Sequence, residues 1–410
     1  AAALMTGTAI AQAISIAVAP ILTRLYVPEE YGILAVYLSV TSIIGVISTL
    51  AYDIAIMLPE KDEDAINLMG LSGIITIGTS FFLLAAVCLL NGPIANALNA
   101  PEISGWLYWM PFTVFLGGVY SIVLSWANRE KQYERLSLNK IYLACITTTL
   151  TLSMGYAGFG ASGLILSGII GQTAGTVMLG WQMWKKDKGK VALLSKRLIW
   201  TQARRYRQFP LYSLPSAFLN IAANQVPVML MKNFFESVTV GSFSMTQRVL
   251  GAPVSLISQS ILGVFRERAA REYNTYGNCQ RIYAKTFKSL SLLSGLPFLL
   301  LFLTSPWLFP IVFGEKWRTA GEYAQILSPL FFLRFTSSPL SYVFFIAEKQ
   351  KYNLYGQAFL FVSSIVSIGV GGYLGSPKIG IVCFSISYSS VYVFYLLASY
   401  HFAKREIRNG

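Results

Sequence analysis

The sequence predicts an all-α polytopic membrane protein with about twelve transmembrane helices, arranged as two parallel six-helix halves around a central cavity. Of the 410 residues, 54% are hydrophobic and only 12% are charged, whereas ordinary soluble domains carry about 25% charged residues. The mean hydropathy is +0.55. A chain with so few charges cannot cover the surface of a water-soluble fold, which excludes almost every soluble class.

Twelve segments have the length and apolar character of a membrane-spanning helix, which needs about 20 residues. In chain order they are 1–23, 31–53, 66–90, 105–127, 138–157, 162–184, 209–231, 240–265, 287–313, 323–346, 353–374 and 379–402. Several contain Gly or Pro, which transmembrane helices tolerate better than soluble ones. The first span is apolar from Ala1 and has neither an initiator Met nor a basic flank, so we expect the true N-terminus to lie upstream.

Loop charges predict the orientation, because Lys and Arg accumulate in cytoplasmic loops. With the N-terminus inside, the inner segments hold 25 of the 32 Lys and Arg residues, the outer loops hold 5, and Arg248 and Arg334 lie within spans. Both termini are therefore expected in the cytoplasm. The net charge of +14 then reflects topology and attraction to membrane lipids with anionic headgroups. Nucleic acid is not an expected partner.

The longest loop, 185–208, is rich in Lys and Arg and contains an amphipathic stretch. We interpret it as a basic cytoplasmic linker between a first six-helix half, 1–184, and a second, 209–402. Residues 403–410 are then a cytoplasmic tail. No loop is long enough to form a soluble domain.

The two halves share short motifs in register. Glu130-Lys131-Gln132 recurs as Glu348-Lys349-Gln350 at an offset of 218 residues, and Gly155-Tyr156 recurs as Gly372-Tyr373 at 217. Matches at the same places in the topology indicate an internal repeat. Because each copy has an even number of spans, the repeats are parallel, an architecture that suits a transporter with its substrate path between two rocking halves.

Several kinds of site are absent from the sequence. The single histidine, His401, excludes a His-based triad or a His-rich metal site, and the four cysteines are far apart with no C-x-x-C spacing. The outer loops are short and almost free of paired carboxylates. We therefore expect no enzymatic activity, no cofactor and no metal.

Polar side chains inside the spans are the candidate functional residues, because they are costly in lipid and usually face a cavity. Arg248 and Arg334 lie deep in their spans, where the only acid of comparable depth is Asp53. Either the arginines bind an anionic substrate such as phosphate, or they bond to carbonyls or acids and hold helices together. The candidate substrate-binding residues are Arg248, Arg334, Arg24, Gln247, Asn220, Asn224 and Gln12. Asp53 is a candidate ion-coupling site, with a local cap or pair as the alternative.

Four segments resemble a known family. Ile-Leu-Thr-Arg-Leu-Tyr at 21–26, followed by Pro28 to Gly32, resembles the first periplasmic turn of bacterial polysaccharide flippases, as does the segment 52–59. Gln-Arg-Val-Leu at 247–250 and Phe-Gly-Glu-Lys-Trp at 313–317 are similar to motifs in its second half. This family belongs to the multidrug/oligosaccharidyl-lipid/polysaccharide exporter superfamily.

The resemblance implies that the protein moves an undecaprenyl-pyrophosphate-linked oligosaccharide, such as an O-antigen or other surface polysaccharide unit, across the bacterial cytoplasmic membrane. It also implies alternating access, with an ion gradient as a candidate driving force. The implied partners are the lipid-linked oligosaccharide and, as further candidates, polysaccharide-assembly proteins. A multidrug exporter of the same superfamily is the main alternative, although cationic drugs call for more embedded carboxylates. A membrane-bound glycan polymerase or glycosyltransferase is the third.

Overall fold

Helices account for nearly all of the residues that the structure, a computed structural model, describes. These are residues 2–404, with no side-chain description for residues 2–4, 191, 256, 259 and 260. Most of the predicted tail 403–410 lies outside them. Within the described range, the one bridge of strand type joins Asn278 to Lys404. The chain divides into two compact units, Ala1–Asn233 and Phe234–Gly410.

The first unit contains ten α-helices, the last of which ends one residue beyond it. They are α1 (Ala2–Leu25), α2 (Pro28–Gly45), α3 (Tyr52–Ala55), α4 (Asp62–Ala97), α5 (Ser104–Leu107), α6 (Met110–Arg129), α7 (Tyr133–Tyr156), α8 (Gly160–Asp187), α9 (Lys196–Arg205) and α10 (Leu214–Phe234). The second unit contains six described α-helices. They are α11 (Ser237–Tyr276), α12 (Gln280–Phe313), α13 (Arg318–Leu340), α14 (Val343–Ile346), α15 (Gln350–Tyr373) and α16 (Pro377–Phe402).

Each of the twelve predicted spans coincides with one long helix. Among the described residues, nine helical segments are both long enough and apolar enough to cross a membrane. The helices α2, α7 and α11 are not among them, because α2 begins with Glu29 and Glu30 and the other two carry charged ends. The predicted fold class, an all-α polytopic membrane protein, is confirmed.

The second predicted span, 31–53, is wrong in its inner part. Helix α2 ends at Gly45, and the following N–H groups bond three residues back, as in Ser48 to the Gly45 carbonyl at 3.1 Å. Leu50 and Ala51 then take left-handed backbone angles, with φ of 49° and 62°. Glycine followed by β-branched residues has low helix propensity, so the helix stops and the short α3 begins.

Helices of equal length recur 217 residues apart. α7 and α15 each have 24 residues and start at Tyr133 and Gln350, and α8 and α16 start at Gly160 and Pro377. The left-handed residues Lys131 (φ 54°) and Glu348 (φ 57°) have the same separation. The backbone repeat is therefore shifted by one residue from the 218-residue match of the Glu-Lys-Gln motifs. The predicted half boundaries at 184 and 209 stay a prediction.

Glycines permit close helix packing in both units. A Cβ on Gly155 would lie 2.8 Å from the ring of Tyr26, and a Cβ on Gly372 would lie 2.4 Å from the ring of Phe234. In the second unit, a Cβ on Gly371 would lie 2.6 Å from the Gly380 Cα, so α15 and α16 touch backbone to backbone. Small residues at such contacts are typical of membrane helix pairs.

Helix α10 belongs by contact to the first unit. Ser39 Oγ on α2 donates a hydrogen bond to Gln225 Oε1 at 2.9 Å, and Lys232 Nζ pairs with Glu102 Oε1 at 2.7 Å. Asn99 Nδ2 donates to the Asn233 carbonyl at 3.4 Å. These contacts hold the helix along its length.

The predicted linker is folded onto the first unit. Asn67 on α4 donates to the Leu193 carbonyl at 3.0 Å and accepts from the Ser195 N–H at 2.9 Å. The Tyr52 hydroxyl donates to the Ala203 carbonyl at 3.0 Å. The segment 185–208 is therefore a packed element that continues α8 through a 3₁₀ turn into α9.

Candidate functional site

Two packed helices of the second unit position the intramembrane arginines. Thr246 Oγ1 on α11 donates to the Ala320 carbonyl on α13 at 2.8 Å, which ties the two helices together. One turn along α11, a Cβ on Gly251 would lie 3.7 Å from the ring of Phe331. The Arg334 guanidinium carbon lies 5.8 Å from the centre of that same ring. Arg248, one turn before Gly251, and Arg334, one turn after Phe331, thus flank a shared helix contact.

The arginines have no acidic partner among the residues that the structure describes. Arg248 is exposed and Arg334 is half-buried, and no described carboxylate lies within the ion-pair distance of either. Three glutamates of this unit pair with other cations, Glu267 with Arg271, Glu315 with Arg318 and Glu322 with Lys378. The ring of Phe331 supplies Arg334 with a cation–π contact, which leaves its N–H groups available for an anion.

Other polar groups lie on the same stretch of α11. Gln247 is half-buried next to Arg248. The Ser244 hydroxyl, one turn before Arg248, is buried and has no hydrogen-bond partner in the described part of the chain. A buried hydroxyl without a partner costs free energy, so a ligand or water that reached it would gain a hydrogen bond. The arginines, Gln247 and Ser244 can together bind an oxyanion.

The predicted asparagines lie on α10 of the first unit. Asn220 and Asn224 are both exposed, and Asn224 Nδ2 donates to the Asn220 carbonyl at 2.7 Å. Asn220 lines a groove of about 600 Å³ with Tyr212, Ser213 and Ser216. Hydroxyl and amide groups along a groove are suited to sugar hydroxyls.

The remaining predicted binding residues are apart from these groups. Gln12 is half-buried on α1, whose neighbour Thr8 accepts a hydrogen bond from Lys140 Nζ on α7 at 2.9 Å. Arg24 is exposed at the other end of α1. The structure therefore divides the seven candidates into the α11–α13 arginines with Gln247, the α10 asparagines, and two separate positions on α1.

Asp53 has a local hydrogen-bond arrangement. One carboxylate oxygen accepts from Thr49 Oγ1 at 2.6 Å, and the other accepts from the Ser121 hydroxyl. Both donors belong to the first unit, and they satisfy the carboxylate at the turn between α2 and α3. This geometry favours the local-cap interpretation, and the ion-coupling role stays a prediction. Within the described residues, no cluster of three or more His, Cys, Asp or Glu side chains could hold a metal ion.

Sequence reasoning missed an ionic cluster at the predicted cytoplasmic end of the first unit. Asp187 is 5% exposed, accepts from Trp126 Nε1 at 3.0 Å and lies 3.5 Å from Lys190 Nζ. Lys190 also pairs with Asp62 at 2.8 Å and with Glu130 at 3.3 Å. The available signal was Asp187, the only acid in the basic segment 185–208.

A family match covers most of the chain. A family model described as a polysaccharide biosynthesis protein matches residues 21–322. The chain belongs to this family. Arg24, Asp53 and Arg248 of this polysaccharide biosynthesis protein lie inside the matched segment, and Arg334 lies beyond it.

A curated relative of the polysaccharide biosynthesis protein is the succinoglycan biosynthesis transport protein ExoT of Rhizobium meliloti (strain 1021). The two are 22% identical over 322 residues, which cover 75% of this chain and 61% of the relative. The match therefore spans less than two thirds of the relative's length.

Solved structures with the same fold are membrane transporters. The lipid II flippase MurJ, in an inward closed conformation, superposes with a TM-score of 0.70 at 12% identity and covers 97% of this chain and 87% of its own. An inward-facing multidrug resistance transporter of the MATE family, in the MOP superfamily, superposes at 0.68 with 12% identity over 96% and 93% of the two chains. At these identities the likeness establishes the fold alone. The polysaccharide biosynthesis protein has a MOP-type transporter fold.

Proposed function

We propose that this membrane protein is a flippase that moves an undecaprenyl-pyrophosphate-linked oligosaccharide across the bacterial cytoplasmic membrane by alternating access. The proposal needs no catalytic step, since translocation changes the position of the substrate and not its bonds. The family match to polysaccharide biosynthesis proteins and the MOP-type fold support it.

The observation that carries the proposal is the pair Arg248 and Arg334. Both guanidinium groups lie in membrane helices and flank the Phe331 contact, with no described carboxylate at ion-pair distance. A planar guanidinium can bind two oxygens of a phosphate at once. A pyrophosphate-linked sugar offers such an anion together with hydroxyls for Gln247 and for the asparagines of α10.

A multidrug exporter is the alternative with the same fold. Cationic drugs would need accessible membrane carboxylates, whereas Asp53 already accepts hydrogen bonds from Thr49 and Ser121. The excess of unpaired cations over unpaired acids in the second unit favours an anionic substrate.

The test is glycan display in a flippase-null strain that carries single variants. Arg248→Ala or Arg334→Ala should reduce display roughly ten-fold or more, because each lost guanidinium–phosphate contact removes about 1.5–3 kcal/mol. Arg248→Lys and Arg334→Lys should restore only part of it, because lysine keeps the charge but not the two-pronged geometry. Arg281→Ala, an exposed arginine of the same unit, should leave display unchanged.

Membrane levels of each variant distinguish the substrate role from a structural one. Full display by both alanine variants would overturn the proposal. Loss of display caused by disappearance of the protein from the membrane would assign the arginines to helix packing instead.

A further inference from the structure

Helix α9 presents two different faces. Its inner face packs on the first unit, where Gln202 is 2% exposed and donates to Asp64 on α4. Ile199 also contacts α4, since a Cβ on Gly70 would lie 3.5 Å from its Cδ1. The outer face, which we call the basic face, consists of Lys196, Arg197, Trp200 and Arg204, all exposed.

The basic face has no acidic neighbour in the described part of the chain. The sequence contains no Asp or Glu between 188 and 208. The one ion pair of α9 joins Arg205 to Asp64 at 3.8 Å, on the docked side. The charges of Lys196, Arg197 and Arg204 are therefore available to an external anion.

The exposed tryptophan adds a preference that simple charge would not. Trp200 is 62% exposed, and the Arg204 guanidinium carbon lies 5.1 Å from its ring centre. At the end of α8, Trp181 and Trp184 are 62% and 56% exposed, and Lys185 Nζ lies 5.5 Å from the Trp181 ring. Indole rings beside cations are typical of the lipid headgroup level, since the ring is apolar and its N–H is polar.

Chain connectivity keeps α9 near the membrane surface. It follows the spanning helix α8, which ends at Asp187, and the next spanning segment begins at Phe209. Its docking partners Asp64 and Asn67 lie in the first two turns of the spanning helix α4. The loop charges predict that this side faces the cytoplasm.

We propose that the basic face of α9 is a binding site for anionic phospholipid headgroups of the cytoplasmic leaflet. Three cations and an exposed indole on one side of a helix docked at the membrane surface match a phosphate-bearing headgroup above an acyl layer. The site is separate from the α11–α13 arginines and does not depend on the transported substrate.

The experiment measures lipid retention by the purified full chain. Native mass spectrometry after exchange into mixed phosphatidylglycerol and phosphatidylcholine should show preferential retention of phosphatidylglycerol. The triple variant Lys196→Gln, Arg197→Gln, Arg204→Gln should lose about ten-fold or more of this preference, given the usual attraction of each surface cation to anionic lipid. The matched control Arg268→Gln, Arg281→Gln, Lys285→Gln removes three exposed charges elsewhere and should keep it.

Two further measurements address folding and location. Arg197→Lys with Arg204→Lys keeps the charge and should retain phosphatidylglycerol as the wild type does. In vesicles with brominated phosphatidylcholine, Trp200→Phe should reduce the quenched fraction of tryptophan fluorescence. Equal loss of lipid preference in both triple variants would overturn the proposal, as would an unchanged preference in the α9 triple variant. Binding of a soluble polyanion without any lipid preference would assign the face to another partner class and would also overturn it.

Discussion

Asp187 shows how a single buried carboxylate organises a charged region. It accepts the Trp126 indole N–H at 3.0 Å and faces Lys190, whose ammonium also lies 5.0 Å from the Trp126 ring centre. One acid thus joins the end of α6, the end of α8 and the 3₁₀ turn that follows. The linker begins from this point.

Asp187→Ala should lower the thermal stability of the purified protein. The change leaves the buried Trp126 N–H without its acceptor, which costs about 1–3 kcal/mol, and removes one of the three acids around Lys190. Thermal unfolding in detergent, followed by tryptophan fluorescence, measures the effect. Lys188→Ala, at an exposed neighbouring position, is the control, and equal melting temperatures for the two variants would contradict this role.

The residue-level chemistry of the candidate site was partly readable from the sequence. The depth of Arg248 and Arg334 marked both as unusual, and Thr49 could be placed one turn from Asp53 by helical spacing. The Ser121 hydroxyl on Asp53 could not be foreseen, because the two residues are 68 positions apart. Nor could the position of Phe331 between the arginines, since helix packing is set by contacts distant in sequence.

At the scale of elements, the α15–α16 pair depends on glycine at one contact. A Cβ on Gly371 would meet the Gly380 Cα at 2.6 Å and the Ser376 carbonyl at 3.1 Å. Both obstacles are backbone atoms, so a side-chain rotation cannot relieve the clash. The two helices would have to separate.

Gly371→Ala should therefore destabilise the protein by about 1–3 kcal/mol, the usual cost of overpacking a tight contact. Gly369→Ala, two residues earlier on the same helix, has no atom within 4 Å of its added Cβ and should be neutral or slightly stabilising. Detergent-phase melting curves of the two variants provide the comparison. If the alanine at 371 is tolerated as well as that at 369, the backbone contact is not formed.

Helix existence was predictable and two local features were not. The spans followed from apolar length, which lipid imposes on every crossing helix. The end of α2 at Gly45 was missed because the apolar run continues through Ile47 although the backbone turns. The linker looked like a free basic loop, because Asn67 and Asp64, which hold it, lie more than 120 residues earlier.

The topology of the whole molecule is the broadest prediction. Lys61, the segment 185–208 and the C-terminal tail should face the cytoplasm, and Lys316 and Arg318 should face the periplasm. Single cysteines at these positions, labelled in intact cells with an impermeant maleimide, test it. Labelling of the 185–208 segment from outside would overturn the twelve-span topology.

The native cysteines define the background for that experiment. Burial raises the pKa of the Cys279 thiol to about 11, so little reactive thiolate forms at neutral pH, and this residue should label slowly. Cys88 and Cys145 are exposed along spanning helices, where lipid excludes a charged reagent. Replacement of all four by alanine gives a silent reference.

Helix α10 has a consequence for how the chain can be divided. Its sequence opens the second repeat, yet Gln225 and Lys232 attach it to Ser39 and Glu102 of the first unit, and only Phe234 reaches Gly372. The situation resembles a domain swap within one polypeptide, in which one copy lends its leading helix to the other. Two fragments separated at residue 208 would thus share an unfinished interface, and neither repeat is a self-sufficient folding module.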